Sequence, residues 1–313
     1  MAYKKKLTIL LILVGVLALI YISSFVFDSG KKRSDAFSWL DPALLGSADK
    51  IEISGSGGMT VLSRKNNTWV FSAGAEEYPA KQDRVEDFLS RLTRKESYAL
   101  RAASSEARER LGLSENSASR VIIRGGAGLP LLDLLIGTAD ALGREIYLRR
   151  ADKNEIYSGE DRLTLYVDSK PQSWYNLRLF TANTTVEMVQ QAEVVISQDT
   201  YMLRRSGGGW IMTGNNESTL DSPKVDAWLR SVLEAEGEDF SAGFAVNASP
   251  ALVEGRITLR FGDGTTRTIQ TGPPDEQKRR DASVTGSSLV YVLAEWTYNR
   301  LFRESAYFVK SEN

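Results

Sequence analysis

Residues 82–93 read QDRVEDFLSRLT, a segment in which apolar side chains recur at the i, i+3, i+4 and i+7 spacing of one helix face. These side chains are Val85, Phe88, Leu89 and Leu92. The same spacing returns 140 positions later, at Val225, Trp228, Leu229 and Val232. The sequence therefore predicts two amphipathic helices, at 82–94 and 223–235, each with one apolar stripe that must cover a core.

Other segments recur in the same order around these two helices. The matched segments are Trp69 with Trp210, 120–123 with 256–259, Gly137 with Gly272, Tyr157 with Tyr291, and 174–180 with 296–302. Their offset falls in steps from 141 to 122, as loop deletions in the second copy would cause, because connections tolerate changes of length. We interpret the chain as a tandem repeat, with chance similarity as the alternative.

Short turns rich in Gly and Asp join the strand-like segments, for example Gly55-Ser56-Gly57-Gly58. Such turns are typical of hairpins, so we expect antiparallel sheets. The predicted fold class is α+β, with two tandem, similar modules that each consist of an antiparallel sheet covered by helices. We expect the first module at 49–180, an inter-repeat linker at 181–192 and the second module at 193–313.

The chain begins with a long apolar run. Residues 7–27, LTILLILVGVLALIYISSFVF, carry no charge and as a helix would span about 31 Å, close to the ~30 Å hydrocarbon core of a bilayer. We interpret 1–27 as a single-pass membrane anchor and 28–48 as a juxtamembrane linker. A cleaved signal peptide and a buried helix are the alternatives. We expect lipid contact through 7–27 and a body on the outer side of the cytoplasmic membrane.

The composition argues against several classes of function. The chain has 313 residues, no Cys and no His, and its 39 Lys and Arg nearly balance 40 Asp and Glu. Without Cys and His, the common nucleophilic dyads and most zinc sites are excluded. The small net charge argues against nucleic-acid binding, and the lack of a G-x-x-x-x-G-K motif argues against nucleotide binding. We therefore expect a non-enzymatic protein without a cofactor.

Carboxylates are the remaining candidates for chemistry. A glycosidase needs two of them about 5 to 9.5 Å apart, and adjacent pairs occur at Glu76-Glu77 and Glu160-Asp161. A denser cluster follows the second helix and consists of Glu234, Glu236, Glu238 and Asp239. A helix C-terminus disfavours negative charge, so a hard cation is one interpretation of this cluster and a solvated loop is the other. The sequence assigns no catalytic, cofactor-binding or metal-binding residue.

Tryptophans at matched places in the two copies are expected to anchor the cores. They are Trp69, Trp174, Trp210 and Trp296.

Several short motifs carry a resemblance to a known bacterial family. They are the Trp69 strand, Tyr78-Pro79-Ala80, the 82–94 helix, Leu111-Gly112-Leu113, Leu135-Ile136-Gly137 and Glu155-Ile156-Tyr157. Together they resemble the domain of unknown function 4340 over most of 49–180 and, more weakly, over 193–302. The second copy lacks the Leu-Gly-Leu turn and has Thr271 before Gly272. The resemblance implies a membrane-anchored bacterial envelope protein associated with auxiliary subunits of gliding-motility-type ABC transporters.

The leading hypothesis is a non-enzymatic, single-pass protein of the bacterial cytoplasmic membrane that acts as an interaction or accessory module of an ABC-type transport system. Its expected partner is a permease or auxiliary subunit of that system. One alternative is a carboxylate-dependent hydrolase of envelope glycans, which requires two acidic side chains in one cleft. The other is a ligand-binding sensor with its site between the repeats.

Overall fold

The computed structural model describes seven stretches of the chain, which are 34–73, 76–160, 162–180, 183–197, 199–213, 218–241 and 253–310. The chain divides into two compact units between Tyr175 and Asn176. The predicted anchor at 7–27 lies outside the described residues. In the described stretches no helix combines the length and the apolar character that crossing a bilayer requires.

Ten strands form the sheet of the first unit. They are β1 (Ser34–Phe37), β2 (Ala48–Gly55), β3 (Gly58–Lys65), β4 (Thr68–Ala73), β5 (Glu76–Pro79), β6 (Glu96–Ala102), β7 (Ser119–Gly125), β8 (Pro130–Ala139), β9 (Glu145–Arg150) and β10 (Ile156–Glu160). Their order across the sheet is β1-β6-β10-β9-β8-β7-β2-β3-β4-β5. Every neighbouring pair is antiparallel, and the predicted hairpin turn at 55–58 is confirmed by the pairing of β2 with β3.

Nine strands form the sheet of the second unit. They are β11 (Val189–Ile196), β12 (Asp199–Ser206), β13 (Gly209–Thr213), β14 (Ser218–Thr219), β15 (Asp239–Phe240), β16 (Gly255–Phe261), β17 (Thr266–Pro274), β18 (Arg280–Val284) and β19 (Val290–Leu293). The order is β14-β13-β12-β11-β16-β17-β18-β19-β15, again with antiparallel neighbours throughout.

The two sheets share one strand order. From β6 to β5 the first sheet runs through the same succession of connections as the second sheet does from β15 to β14. β1 extends the first sheet beyond β6, and at the matching place the second unit has a single bridge between Arg178 and Glu236. The matches at Trp69 and Trp210, at 120–123 and 256–259, and at Tyr157 and Tyr291 therefore fall on equivalent strands of two like sheets.

In the described stretches, five α-helices accompany the sheets. They are α1 (Gln82–Thr93), α2 (Ser105–Arg110) and α3 (Thr164–Val167) in the first unit, and α4 (Ser222–Leu233) and α5 (Glu295–Leu301) in the second. Short 3-10 helices lie at Pro42–Ser47, Gly126–Gly128, Pro171–Trp174, Val186–Met188 and Ser305–Phe308. The two predicted amphipathic helices are confirmed as α1 and α4, and the apolar stripe of each is fully buried.

The two long helices are held in the same way. The main-chain N–H of Lys81 donates to Trp174 before α1, and that of Asp221 donates to Phe308 before α4, at 2.9 and 3.0 Å. Phe88 packs edge-on against Trp174 at 5.7 Å between ring centroids, and Trp228 packs edge-on against Phe308 at 5.2 Å.

The predicted α+β class is wrong, because the structure is mostly β. Strands occupy segments whose side-chain pattern does not mark them, among them β5, β6, β14 and β15. The shorter of these are edge strands, paired through the main chain, and two residues are too few to show an alternation. Among the helices of the described residues, only α1 and α4 reach 12 residues, one in each unit.

Residues 34–48, which the sequence places in the linker, form ordered structure. β1 pairs with β6, and Trp39 and Leu40 are buried. Asp41 caps the 3-10 helix Pro42–Ser47, and its carboxylate accepts a hydrogen bond from the N–H of Ala43 at 2.9 Å. The polar residues at 28–35 gave no sign that the fold begins at β1, because an edge strand pairs through its main chain and needs no apolar side chain.

The match of 174–180 with 296–302 is also wrong. Trp174 ends a 3-10 helix and is fully buried, whereas Trp296 lies in α5 with 62% of its surface exposed. The hydrogen bonds before α1 and α4 instead make Phe308 the counterpart of Trp174. The expectation that Trp296 anchors a core is therefore wrong, while Trp69, Trp174 and Trp210 are confirmed as buried.

An aromatic cluster holds β1 to the first sheet and leads to a prediction about pH. Phe37, Trp39, Tyr98 and Tyr157 have ring centroids between 4.8 and 5.9 Å apart. Burial, reinforced by the charge of Glu96, raises the pKa of Tyr98 to about 12.

We expect the free energy of unfolding to fall as the pH rises from 10 to about 12. The unfolded chain releases the phenol proton near the ordinary value, whereas the folded chain keeps it, so the unfolded state is favoured in this range. Urea unfolding at a series of pH values measures the fall, with Tyr98→Phe as the control that keeps the ring. An equal fall in the variant would contradict the assignment.

Candidate functional site

Glu76, Glu77 and Glu160, three of the four paired carboxylates suggested by the sequence, occupy exposed positions. Glu76 and Glu77 lie on the edge strand β5, where Glu76 accepts a hydrogen bond from Tyr78 and Glu77 forms an ion pair with Lys65. Glu160 accepts a hydrogen bond from Arg162 at 2.8 Å, and its neighbour Asp161 lies outside the described residues. The structure therefore shows no convergence of Glu76, Glu77 and Glu160 in a cleft.

The acidic cluster after α4 does not gather into a ligand set either. Glu234 is the C-cap of α4, and Glu234, Glu236 and Glu238 are exposed while Ala235 between them is buried. Across the described stretches, no three side chains of Asp, Glu, His or Cys lie close enough together to hold a metal ion. The cation interpretation thus gains no support from the geometry.

The most unusual exposed side chain is Trp296 in α5. Thr297 and Leu301, one turn apart, form the buried side of this helix. The indole N–H of Trp228 donates to the carbonyl oxygen of Leu301 at 2.7 Å, which fixes the helix against the core. Trp296 lies one position before Thr297 and is not on that buried side, so its ring faces solvent. A tryptophan exposed by 62% loses most of the stabilisation that its burial would give.

Two arginines accompany exposed aromatic rings in this segment. The guanidinium carbon of Arg300 lies 5.1 Å from the ring centroid of Trp296, and that of Arg303 lies 5.0 Å from the ring centroid of Tyr307. Tyr307 is exposed, and both arginines are half-buried. Cation–π contacts of this kind hold the planar groups in place. We refer to Trp296, Arg300, Arg303 and Tyr307 as the α5 surface.

The polar groups of the α5 surface are incompletely satisfied. The Nε–H of Arg300 is buried and has no hydrogen-bond partner within the described stretches. The neighbouring Glu295 is engaged by Lys278 at 3.1 Å. Arg300 forms no ion pair with a carboxylate of the described stretches. Beside an exposed indole, its guanidinium is available to an acidic group from outside. The arrangement can bind a partner surface, and it contains no nucleophile or paired acid and base.

Sequence reasoning missed the α5 surface because it matched Trp296 with Trp174. The spacing of apolar residues along 296–302 indicates that Trp296 lies off the apolar side of the helix. Thr297, Tyr298, Leu301 and Phe302 form the apolar stripe of α5, and Tyr298 and Phe302 stack with centroids 4.6 Å apart. Trp296 and Arg300 share the other face at the i, i+4 spacing.

Comparison with known proteins assigns the family. The family model described as domain of unknown function (DUF4340) matches residues 69–252, which is more than half of the chain. The chain belongs to the DUF4340 family. No curated protein and no solved structure matches it. The DUF4340 match begins at Trp69, covers α1 and α4 and ends before α5, so it includes parts of both units.

Proposed function

We propose that this DUF4340 protein is a non-enzymatic interaction module and that the α5 surface is its contact with a protein partner. The observation that carries the proposal is the exposed Trp296 ring stacked with Arg300. Trp, Tyr and Arg are the residue types that dominate the binding energy of protein interfaces. A rigid aromatic ring loses little conformational freedom on binding, and here an arginine already orients it.

The chemistry of the α5 surface favours a partner with an apolar patch beside acidic side chains. Arg300 and Arg303 supply positive charge next to Trp296 and Tyr307, and neither guanidinium forms an ion pair with a carboxylate of the described residues. An acidic partner would complete these groups through charge-assisted hydrogen bonds.

The location of the protein and the type of its partner are proposed from the sequence. We propose that residues 7–27 contact lipid, which holds the protein at the bacterial cytoplasmic membrane with its body on the outer side. We further propose that the partner is a permease or auxiliary subunit of an ABC-type transport system. This finer part rests on the family resemblance and on the apolar run, which lies outside the described residues.

The test is purification of the tagged full chain in mild detergent after crosslinking, with identification of the proteins recovered. We expect a subunit of an ABC-type system with wild type and at least a tenfold lower yield with Trp296→Ala, because truncation of a hot-spot aromatic costs about 2 kcal/mol or more. Leu142→Ala is the matched control, since Leu142 is 68% exposed in the first unit.

Two results would count against the proposal. Recovery of the protein alone would contradict the transport partner. Equal yields of the partner with Trp296→Ala and Leu142→Ala would show that the α5 surface is not the contact. Arg300→Gln provides a second variant whose yield is expected to fall with that of Trp296→Ala, more strongly at low salt than at high salt.

A further inference from the structure

A buried arginine in the first unit lacks an acidic partner. Arg149 lies in β9 and only 6% of its surface is exposed. Its Nη1 donates to the main-chain carbonyl oxygens of Arg150, Ala151 and Lys153, at 3.3, 3.2 and 2.7 Å. Its Nε–H is buried and has no hydrogen-bond partner in the part of the chain that the structure describes. The side chain is therefore fixed by one nitrogen, while another donor remains unsatisfied.

A second arginine binds the same turn, because Arg149 donates to the carbonyl oxygen of Lys153 and Arg108 donates to the next residue, Asn154. Arg108 of α2 is half-buried, and its Nη2 donates to the side-chain oxygen of Asn154. Its Nε–H is also buried and finds no partner among the described residues. Burial, together with the like charge of Arg108, lowers the pKa of Arg149. Arg149 still keeps its charge at neutral pH because a guanidinium does not lose its proton in proteins.

The nearby carboxylates do not neutralise this pair. Asp133 is held by Arg120 through two hydrogen bonds, at 2.8 and 2.6 Å. Glu115 acts on Arg149 only at a distance, and it is exposed. Among the described residues no carboxylate forms an ion pair with Arg108 or Arg149. A buried charge without a partner is costly, which makes this pair an attractive position for an anion.

The sheet itself does not require an arginine at this position. Leu148 pairs with Tyr157 in the first sheet as Ala282 pairs with Tyr291 in the second, so Ser283 is the counterpart of Arg149. Ser283 is buried too, and β18 forms with it. Arg149 is thus an addition to the first unit beyond what the shared strand order needs.

We propose that Arg108 and Arg149 bind an oxyanion, a phosphate or carboxylate group of a small ligand, at the surface between α2 and the turn that follows β9. The carbonyl oxygens of 150, 151 and 153 orient Arg149, and Asn154 orients Arg108. The ligand accepts hydrogen bonds from the Nη groups of the two arginines, because both Nε–H groups are buried. Two guanidinium groups fixed by the fold suit the planar, multidentate recognition of such anions. This site is independent of the α5 surface, which lies in the other unit.

The experiment is thermal unfolding of the full chain in detergent, with increasing inorganic phosphate or acetate and with ionic strength held constant by sodium chloride. We expect the Tm of wild type to rise with phosphate, with acetate or with both, because an anion that binds only the folded state stabilises it. A response to phosphate alone identifies a phosphate group as the ligand, and a response to acetate identifies a carboxylate.

Three variants test the assignment of the residues. Arg108→Gln, at a half-buried position, should weaken the apparent affinity at least tenfold, and Arg149→Lys should do the same because a lysine keeps the charge but not the planar set of donors. Arg144→Gln removes one exposed positive charge elsewhere and should bind as wild type does. An unchanged Tm of wild type with both anions would overturn the proposal, as would wild-type affinity in Arg108→Gln.

Discussion

Replacing Trp228 by alanine is expected to lower the free energy of unfolding by about 3–5 kcal/mol, the usual cost of truncating a large buried aromatic side chain. Trp228 lies on the buried stripe of α4 and contacts Phe308 edge-on. Its indole N–H donates to Leu301, so the substitution also leaves a buried carbonyl oxygen without that donor. The loss should therefore affect the attachment of both α4 and α5 to the second unit.

The same unit offers a matched control in Trp296→Ala. Trp296 is exposed, so removing it should change the free energy of unfolding by no more than about 0.5 kcal/mol. Urea unfolding followed by circular dichroism compares the two variants. A similar loss in both would contradict the distinction between a core tryptophan and a binding tryptophan on which the proposed function rests.

The long helices could be predicted from sequence because a stripe of period 3.6 has only one explanation over three turns. The stripe beginning at Val85 and the stripe beginning at Val225 are both buried as expected. The hairpin turns were equally clear, since Gly55 and Gly58 pair across the end of β2 and β3. In each case the local spacing and the fold require the same conformation.

The fold class could not be read in this way because much of the sheet is held by main-chain hydrogen bonds. β1 pairs with β6 over only four residues, and β14 and β15 have two residues each. At the C-terminal end of each copy, the residues around Trp174 and Trp296 are similar in type but do not occupy equivalent positions. What the two copies share there is a hydrogen bond in which the main-chain carbonyl oxygen of Trp174 or Phe308 accepts the N–H just before the long helix. Because the bond is between main-chain atoms, the residue types do not reveal it.

The candidate sites were hidden for a different reason. Arg149 follows Leu148 in a strand that alternates between faces, and sequence alone would leave an arginine there in solvent. In the structure Ala107 of α2, which is distant in sequence, packs in one cluster with Tyr147, and Tyr147 shares its face of β9 with Arg149. Trp296 shows the converse, since a residue type that normally anchors a core is exposed here. Both cases require tertiary contacts that periodicity does not contain.

Two of the motifs that carry the family resemblance meet in the structure. Gly137 of β8 faces the turn Leu111-Gly112-Leu113, and a Cβ atom built on Gly137 would lie 2.2 Å from the carbonyl oxygen of Leu111 and 2.9 Å from the Leu113 side chain. That carbonyl oxygen accepts the N–H of Thr138 at 3.0 Å. Gly112 adopts φ +69°, which suits glycine, and it faces Thr138. The motifs therefore form one close contact between the turn and β8.

This contact predicts that Gly137→Ala lowers the free energy of unfolding by about 2–4 kcal/mol. An added methyl group must displace main-chain atoms, which costs about 1–3 kcal/mol, and the displacement weakens the hydrogen bond from Thr138. Gly46→Ala is the control, because a Cβ atom there meets nothing within 4 Å. Urea unfolding should show a large loss for the first variant and almost none for the second. Equal stability of the two variants would contradict the view that Gly137 is needed for the close approach of β8 to the Leu-Gly-Leu turn.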